Sequence, residues 1–203
     1  MKNLILVGAG GHCRSCIDVI EAEKKYKIIG LIDKNKSTIN KDYKILGDEK
    51  NLELLLKKTK FALITLGQIK NSKKREKLFN TLKKIGFKFP SIISPYAYVS
   101  PRATIGKGTI IMHGAVVNAG AQIGKNCIIN SKALVEHDAT VGNNCHLSTR
   151  STLNGEVNVG DNSFIGTHSV IKQNVKIANN CFINGNLFID KNIKANSKIY
   201  DQK

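Results

Sequence analysis

From Ala97 onward the apolar positions recur every six residues. The chain divides without insertion into AYVSPR ATIGKG TIIMHG AVVNAG AQIGKN CIINSK ALVEHD ATVGNN CHLSTR STLNGE VNVGDN SFIGTH SVIKQN VKIANN CFINGN LFIDKN, and the third position of every hexad is Val, Ile or Leu. The first position is nearly always small or β-branched. The fourth and sixth are often Gly or Asn, residues that tolerate turns and left-handed backbone. An aliphatic residue every six positions fits neither the helical period nor the two-residue alternation of a long strand. It fits a chain that turns a corner every six residues, the hexapeptide β-helix, in which three hexads close one triangular coil. Residues 18 apart then stack, so Cys127, Cys145 and Cys181 share one inward column with Thr109 and Ser163. In that setting the thiols behave as small, reduced apolar groups. Each coil hides its aliphatic corners only against its neighbours, so the prism is stabilised by stacking.

The pattern before residue 90 is different. "NLILVGAGG" is an apolar strand entering a glycine turn, "HCRSCIDVIEAE" is helical and "KIIGLID" is a second strand. "NLELLLKK", "FALITLG" and "SKKREKLFNTLKKIG" predict helix, strand and helix. Strands alternating with helices predict a small Rossmann-like βαβ domain with a parallel sheet. "FKFPSIISPYAYVSP" leads into the prism, giving domains at residues 1–92 and 93–203.

Gly8, Gly10 and Gly11 can bring backbone N–H groups to a phosphate at a helix N-terminus. The full dinucleotide fingerprint needs glycine at position 13, where this chain has Cys13. The turn therefore suits a nucleotide diphosphate better than a dinucleotide. A tight strand–helix turn without a ligand is the alternative. Asp33 ends the second strand, where an acid can bind a ribose or a base.

Composition adds little to this picture. The net charge is +17, but the excess is lysine scattered as singlets and pairs, with no aromatic residues interleaved to stack on bases. It reads as a solvated surface that attracts anionic small molecules, not as a nucleic-acid site. Cys13 and Cys16 form a lone C-x-x-C without the second ligand pair that zinc requires, so no metal is expected. No apolar run is long enough to span a membrane. The N-terminal apolar stretch is too short and glycine-rich for a signal peptide, so a cytoplasmic protein is expected.

The order of these parts resembles the bacterial family of sialic-acid O-acetyltransferases and nucleotide 4-amino-sugar N-acetyltransferases. The matching pieces are "LVGAGGH", "LIDKNKS…YKILGDE", "ALVEHDATVG", "HLSTRSTLNGEVNVG" and "FIGTHSVI". The resemblance implies a left-handed prism, acetyl-CoA as co-substrate, a homotrimer and active sites between neighbouring prisms. It assigns His137 as catalytic general base, a role imidazole suits because it titrates near neutrality. Asp138 would orient it, ahead of Glu136. His146 would lie near the thioester, the competing reading being a plain surface site. Gly155, Thr167 and Gly185 fall in the cofactor groove. Gly10, Gly11, His12, Asp33, Lys34 and Gly67 fall at the substrate nucleotide. His113 and His168 read as structural or solvent-facing.

Two departures stand out. Lys34 replaces a second acid that the UDP-sugar enzymes carry. The chain ends "NIKANSKIYDQK", without the family's usual C-terminal segment. The expected acceptor is a nucleotide 4-amino-sugar. A sialic-acid hydroxyl and a non-catalytic nucleotide-sugar scaffold are the alternatives.

Overall fold

The computed structural model describes residues 1–34 and 42–201. Residues 35–37 of the second-strand motif and the last two residues of the C-terminal segment lie outside it. The first domain is a four-stranded parallel sheet in the order β3-β2-β1-β4. Its strands are β1 (Lys2–Val7), β2 (Tyr26–Ile32), β3 (Ile45–Gly47) and β4 (Phe61–Ile64). The helices are α1 (Gly11–Glu23), α2 (Leu52–Leu56) and α3 (Lys73–Ile85).

The second domain is a left-handed parallel β-helix of two-residue strands in three sheets. The first face begins at Ile92–Ile93 and runs through Ile110–Ile111, Ile128–Ile129, His146–Leu147, Phe164–Ile165 and Phe182–Ile183. The second face includes Tyr98–Val99, Val116–Val117, Leu134–Val135, Thr152–Leu153 and Val170–Ile171. The third includes Gln122–Ile123, Thr140–Val141 and Asn158–Val159. Paired strands are 18 residues apart, as in Ile128↔His146. The third hexad positions pack inward as one continuous core, and the inward cysteines are buried and unpaired.

The hexads divide their labour more sharply than their composition implies. Non-glycine residues with positive φ sit at the sixth position, among them Asn126, Asp138, Asn144 and Glu156. These are the left-handed corners. Glycine at the fourth position has another cause: a Cβ on Gly124 would lie 2.6 Å from the backbone of the next coil.

The periodicity also continues past Asn192. Ile193 bridges Ile177, and Lys198–Ile199 pairs with Phe182–Ile183. These partners are 16 apart because one corner is two residues shorter, which hides the last coil from a strict six-residue parse.

The two domains share a core. The inner side of α1, including Cys13, Cys16, Ile17 and Ile20, packs with Ile92, Ile110 and Ile128, which point outward from the first face. That cover stops at the next outward position, His146. The functional geometry begins there.

Candidate functional site

The expected residues separate into three places. The first is a cleft of about 470 Å³ between the domains. His12 and Gly67 lie on its α/β wall, Thr167 and Gly185 on its prism wall, and His146 between them. Two of the substrate-assigned residues, His12 and Gly67, thus face three of the cofactor-assigned ones, His146, Thr167 and Gly185, across one opening. Gln68, Ile69, Asn130, Ser148 and Phe164 complete the lining near His146 and escaped the sequence reading. One signal for the place was legible. The outward positions of the first face run Ile92, Ile110, Ile128 and then His146, Phe164, Phe182. Aliphatic cover gives way there to imidazole and aromatic rings.

His146 occupies the second hexad position, yet it is buried, with only 6% exposure. The loop after β4 covers it. Its Nδ1 bonds the Gln68 carbonyl, which can only accept, so Nδ1 carries the proton. Its Nε2 accepts from Asn130 Nδ2 at 3.2 Å. The Phe164 ring stands edge-on, 5.2 Å between centroids. Burial, opposed by the Gln68 hydrogen bond and aided by the nearby Arg75 guanidinium, holds the imidazole pKa down at about 4. His12 is pushed down to about 3, by burial, Arg75 and His146 in that order. Both cleft histidines are neutral at pH 7.

The second place is an edge of the prism, where the chain leaves the second face after Val135. His137 and Asp138 are exposed there. Asp138 Oδ2 accepts from His137 Nδ1 at 3.0 Å, leaving Nε2 as the basic nitrogen. Asp138 is itself a left-handed corner residue, at φ 60. Two glycines complete the seat. A Cβ at Gly155 would lie 2.6 Å from His137 Nε2, and a Cβ at Gly120 would lie 2.2 Å from an Asp138 carboxylate oxygen. The Asp138 hydrogen bond, aided by the charges of Asp138, Glu136 and Glu156, raises the His137 pKa above its ordinary value. A chain with only 15 acidic residues places three of them around one imidazole. Gly155 therefore lies beside His137, away from Thr167 and Gly185.

The third place is the C-terminal end of the β1–β2 sheet. Gly10 caps α1 without a side-chain bond, and Gly10 and Gly11 are exposed with no atom within 4 Å of where a Cβ would start. Asp33 Oδ2 accepts the Ala9 N–H at 2.8 Å, so this acid already braces the glycine turn. Asp33 and Lys34 line a separate hollow of about 220 Å³ with Gly8, Glu49 and Lys74.

Among the remaining candidates, His113 bonds Ser94 Oγ at 2.6 Å and Asp18 at 2.9 Å across the domain seam. His168 is an exposed left-handed corner residue. All five cysteines are buried, and burial pushes the Cys13 thiol up to about 11. Among the described residues, no group of His, Cys, Asp or Glu is arranged to hold a metal ion. No helix there is long and apolar enough to cross a membrane.

Comparison with known proteins places this geometry in context. Residues 3–82 match the PglD N-terminal domain, and residues 120–155 match the bacterial transferase hexapeptide repeat. No curated protein sequence matches the chain. Solved structures do. The acetyltransferase domain of PglB from Neisseria gonorrhoeae is 27% identical with a TM-score of 0.90, over 98% of this chain and 96% of that one. The same domain has been solved with acetyl coenzyme A and superposes at 0.88 over 95% and 92% of the two chains. PerB from Caulobacter crescentus, solved with CoA and GDP-perosamine, is 25% identical with a TM-score of 0.89, over 98% and 92%.

Proposed function

We propose that the chain, which matches the PglD N-terminal domain and the bacterial transferase hexapeptide repeat, is a hexapeptide-repeat sugar acyltransferase that transfers an acetyl group from acetyl-CoA to the amine of a nucleotide-linked amino sugar. The observation that carries the reading is the exposed His137–Asp138 pair, with a basic Nε2 seated over Gly155. Asp138 holds the Nδ1–H, so Nε2 can take the proton from the amine as nitrogen attacks the thioester carbonyl. The new C–N bond forms, the C–S bond breaks and the proton passes to the departing thiolate. No acyl-enzyme is needed, since every thiol is buried, and a ternary complex follows. His146, neutral and Nδ1-protonated, lines the place where the two ligands' reacting ends meet. The glycine turn at Gly10 and Gly11, with Asp33 and Lys34 beside it, holds the nucleotide diphosphate. Residues 1–92 bind the nucleotide sugar and residues 93–203 carry out transfer.

The same reading makes the enzyme a homotrimer. His137, Asp138 and Gly155 lie on one prism edge, while the cleft opens on the first face, so a neighbour's edge must close each cleft. The second face supports this with an outward column of Tyr98, Val116, Leu134, Thr152, Val170 and Phe188, apolar but for the threonine.

The test is a thiol-release assay with UDP-, GDP- and CMP-linked amino sugars and free sialic acid. Nucleotide-linked amines should react much faster than the same sugars without nucleotide, and less well as salt screens the diphosphate. Fast reaction of free sialic acid without inhibition by nucleotides would reverse the acceptor. Mixing inactive His137→Ala with inactive Thr167→Trp should restore activity through mixed trimers. No restoration would refute the shared site.

A further inference from the structure

Arg75 is the largest side chain buried without a place in the reaction, at 2% exposure. It stands on α3 and reaches both domains. Nη1 donates to the Ile64 carbonyl at 3.0 Å and the Leu66 carbonyl at 2.6 Å. Nη2 donates to the Asn126 backbone carbonyl at 3.2 Å and to its side-chain oxygen at 2.9 Å. These acceptors are carbonyl oxygens, not carboxylates. Burial pushes the guanidinium pKa down only to about 10, so it stays charged at neutral pH.

A guanidinium can only donate, and this fixes a direction. Asn126 must present its oxygen to Arg75, so its Nδ2 donates to Asn144 Oδ1 at 2.9 Å. Asn144 Nδ2 then donates to Asn162 Oδ1 at 3.1 Å, which also accepts the Ser72 hydroxyl at 3.0 Å. Gln68 Nε2 donates to the Asn144 carbonyl at 2.9 Å. The loop from Leu66 to Ser72 is thus tied to three successive coils of one prism edge. It is the loop whose Gln68 carbonyl holds the proton of His146 and whose Gly67 and Ile69 wall the cleft.

We propose that Arg75 is a positioning residue: its two-armed fork fixes the loop after β4 against the asparagine ladder, and the Gln68 carbonyl then holds His146 as the Nδ1–H tautomer with Nε2 toward the cleft. Lysine cannot replace it, because a single ammonium cannot span the Leu66 and Asn126 acceptors in one plane. The consequence for turnover rests on the cleft being the reacting site; the consequence for His146 does not.

The experiment is nitrogen-15 NMR of histidine-labelled, unliganded protein, read beside steady-state kinetics. Wild type should show His146 protonated at Nδ1. Arg75→Met and Arg75→Lys should both give mixed tautomers and raise the KM for the acceptor at least about fivefold, as expected for a lost buried hydrogen bond. Their kcat should change less than KM. Asn126→Ala removes one acceptor and leaves Arg75 in place. It should move both readouts the same way by less, and it serves where the arginine variants fail to fold. An Nε2-protonated His146 in wild type, or Arg75→Lys indistinguishable from wild type, would overturn the brace. An altered tautomer without turnover of any sugar would support the brace and fail only the proposed function.

Discussion

His137 and His146 are nine residues apart, half a coil, and that spacing gives them opposite environments. One follows the second face at an exposed edge, hydrogen-bonded to an aspartate and surrounded by acids, and its pKa is raised. The other points outward from the first face, but the neighbouring domain covers it and its pKa falls to about 4. A prism alone would leave both at the surface. What differs is the α/β domain, whose loop after β4 converts an ordinary outward position into a neutral, oriented cleft residue. The repeat supplies positions, and the attached domain decides which of them are buried.

The largest test of this contrast is removal of each ring. His137→Ala should lower kcat by about 10²–10⁴, the usual cost of a general base, with an unchanged melting temperature. His146→Ala should cost less activity but about 1–3 kcal/mol of stability, because the Gln68 carbonyl and Asn130 amide lose their partner in a buried site. Turnover and thermal unfolding of both variants check this. Equal stability losses would abolish the distinction.

Stability against pH should divide the histidines next. His146 and His12 have folded pKa values of about 4 and about 3, below the unfolded value of about 6.5. Between these limits the unfolded chain binds protons that the native one refuses. Stability therefore rises with pH through that window and is lost as pH falls, by on the order of 3 kcal/mol for His146 and about 5 kcal/mol for His12 over the whole window. His137 has the opposite sign, with stability present at low pH and lost as pH rises through its raised value, but its exposure makes the contribution slight. Urea unfolding at pH 7 and pH 5, in wild type and His146→Gln, should show a smaller pH dependence in the variant. An unchanged dependence would contradict a neutral, buried His146.

Gly155 sharpens the exposed side of the comparison. The resemblance assigns it to the cofactor groove, and on its own prism edge a Cβ there would lie 2.6 Å from His137 Nε2. Gly155→Ala should displace Nε2 and lower kcat by roughly 10², the penalty for a misplacement of about 1 Å, with little change in acetyl-CoA affinity. Weakened acetyl-CoA binding at normal kcat would mean that Gly155 serves the cofactor and not the seat of His137.

How much of this was legible follows from the range of each interaction. The prism was readable because its period is local: every third hexad position carries its own instruction, and the sixth position supplies left-handed corners such as Asn126 and Asp138. The His137–Asp138 bond was equally accessible, being a contact between neighbours in sequence. The burial of His146 was not, because it depends on Gln68, 78 residues away. Arg75 was invisible for the same reason: on α3 it reads as one more cation in a basic helix, and its acceptor Asn126 lies in the other domain. The last coil escaped because two missing residues broke the period without breaking the pairing.

The smallest expected effect concerns how Asp138 sets its neighbour. The carboxylate bonds His137 Nδ1 and adds a negative charge beside the ring, and both stabilise the imidazolium. The unprotonated base therefore becomes dominant only above the ordinary imidazole pKa, and the acidic limb of the pH profile of kcat/KM should lie correspondingly high. Asp138→Asn removes the charge while keeping a side-chain oxygen that can accept the Nδ1–H. It should move that limb toward lower pH and reduce the plateau rate by on the order of tenfold, since a less basic imidazole takes the amine proton less readily. Glu156→Gln should shift the limb in the same direction by less, because Glu156 acts through charge alone. A limb that stays in place in Asp138→Asn would mean that His137 does not titrate in the rate-determining step, and that Asp138 only holds the ring in place.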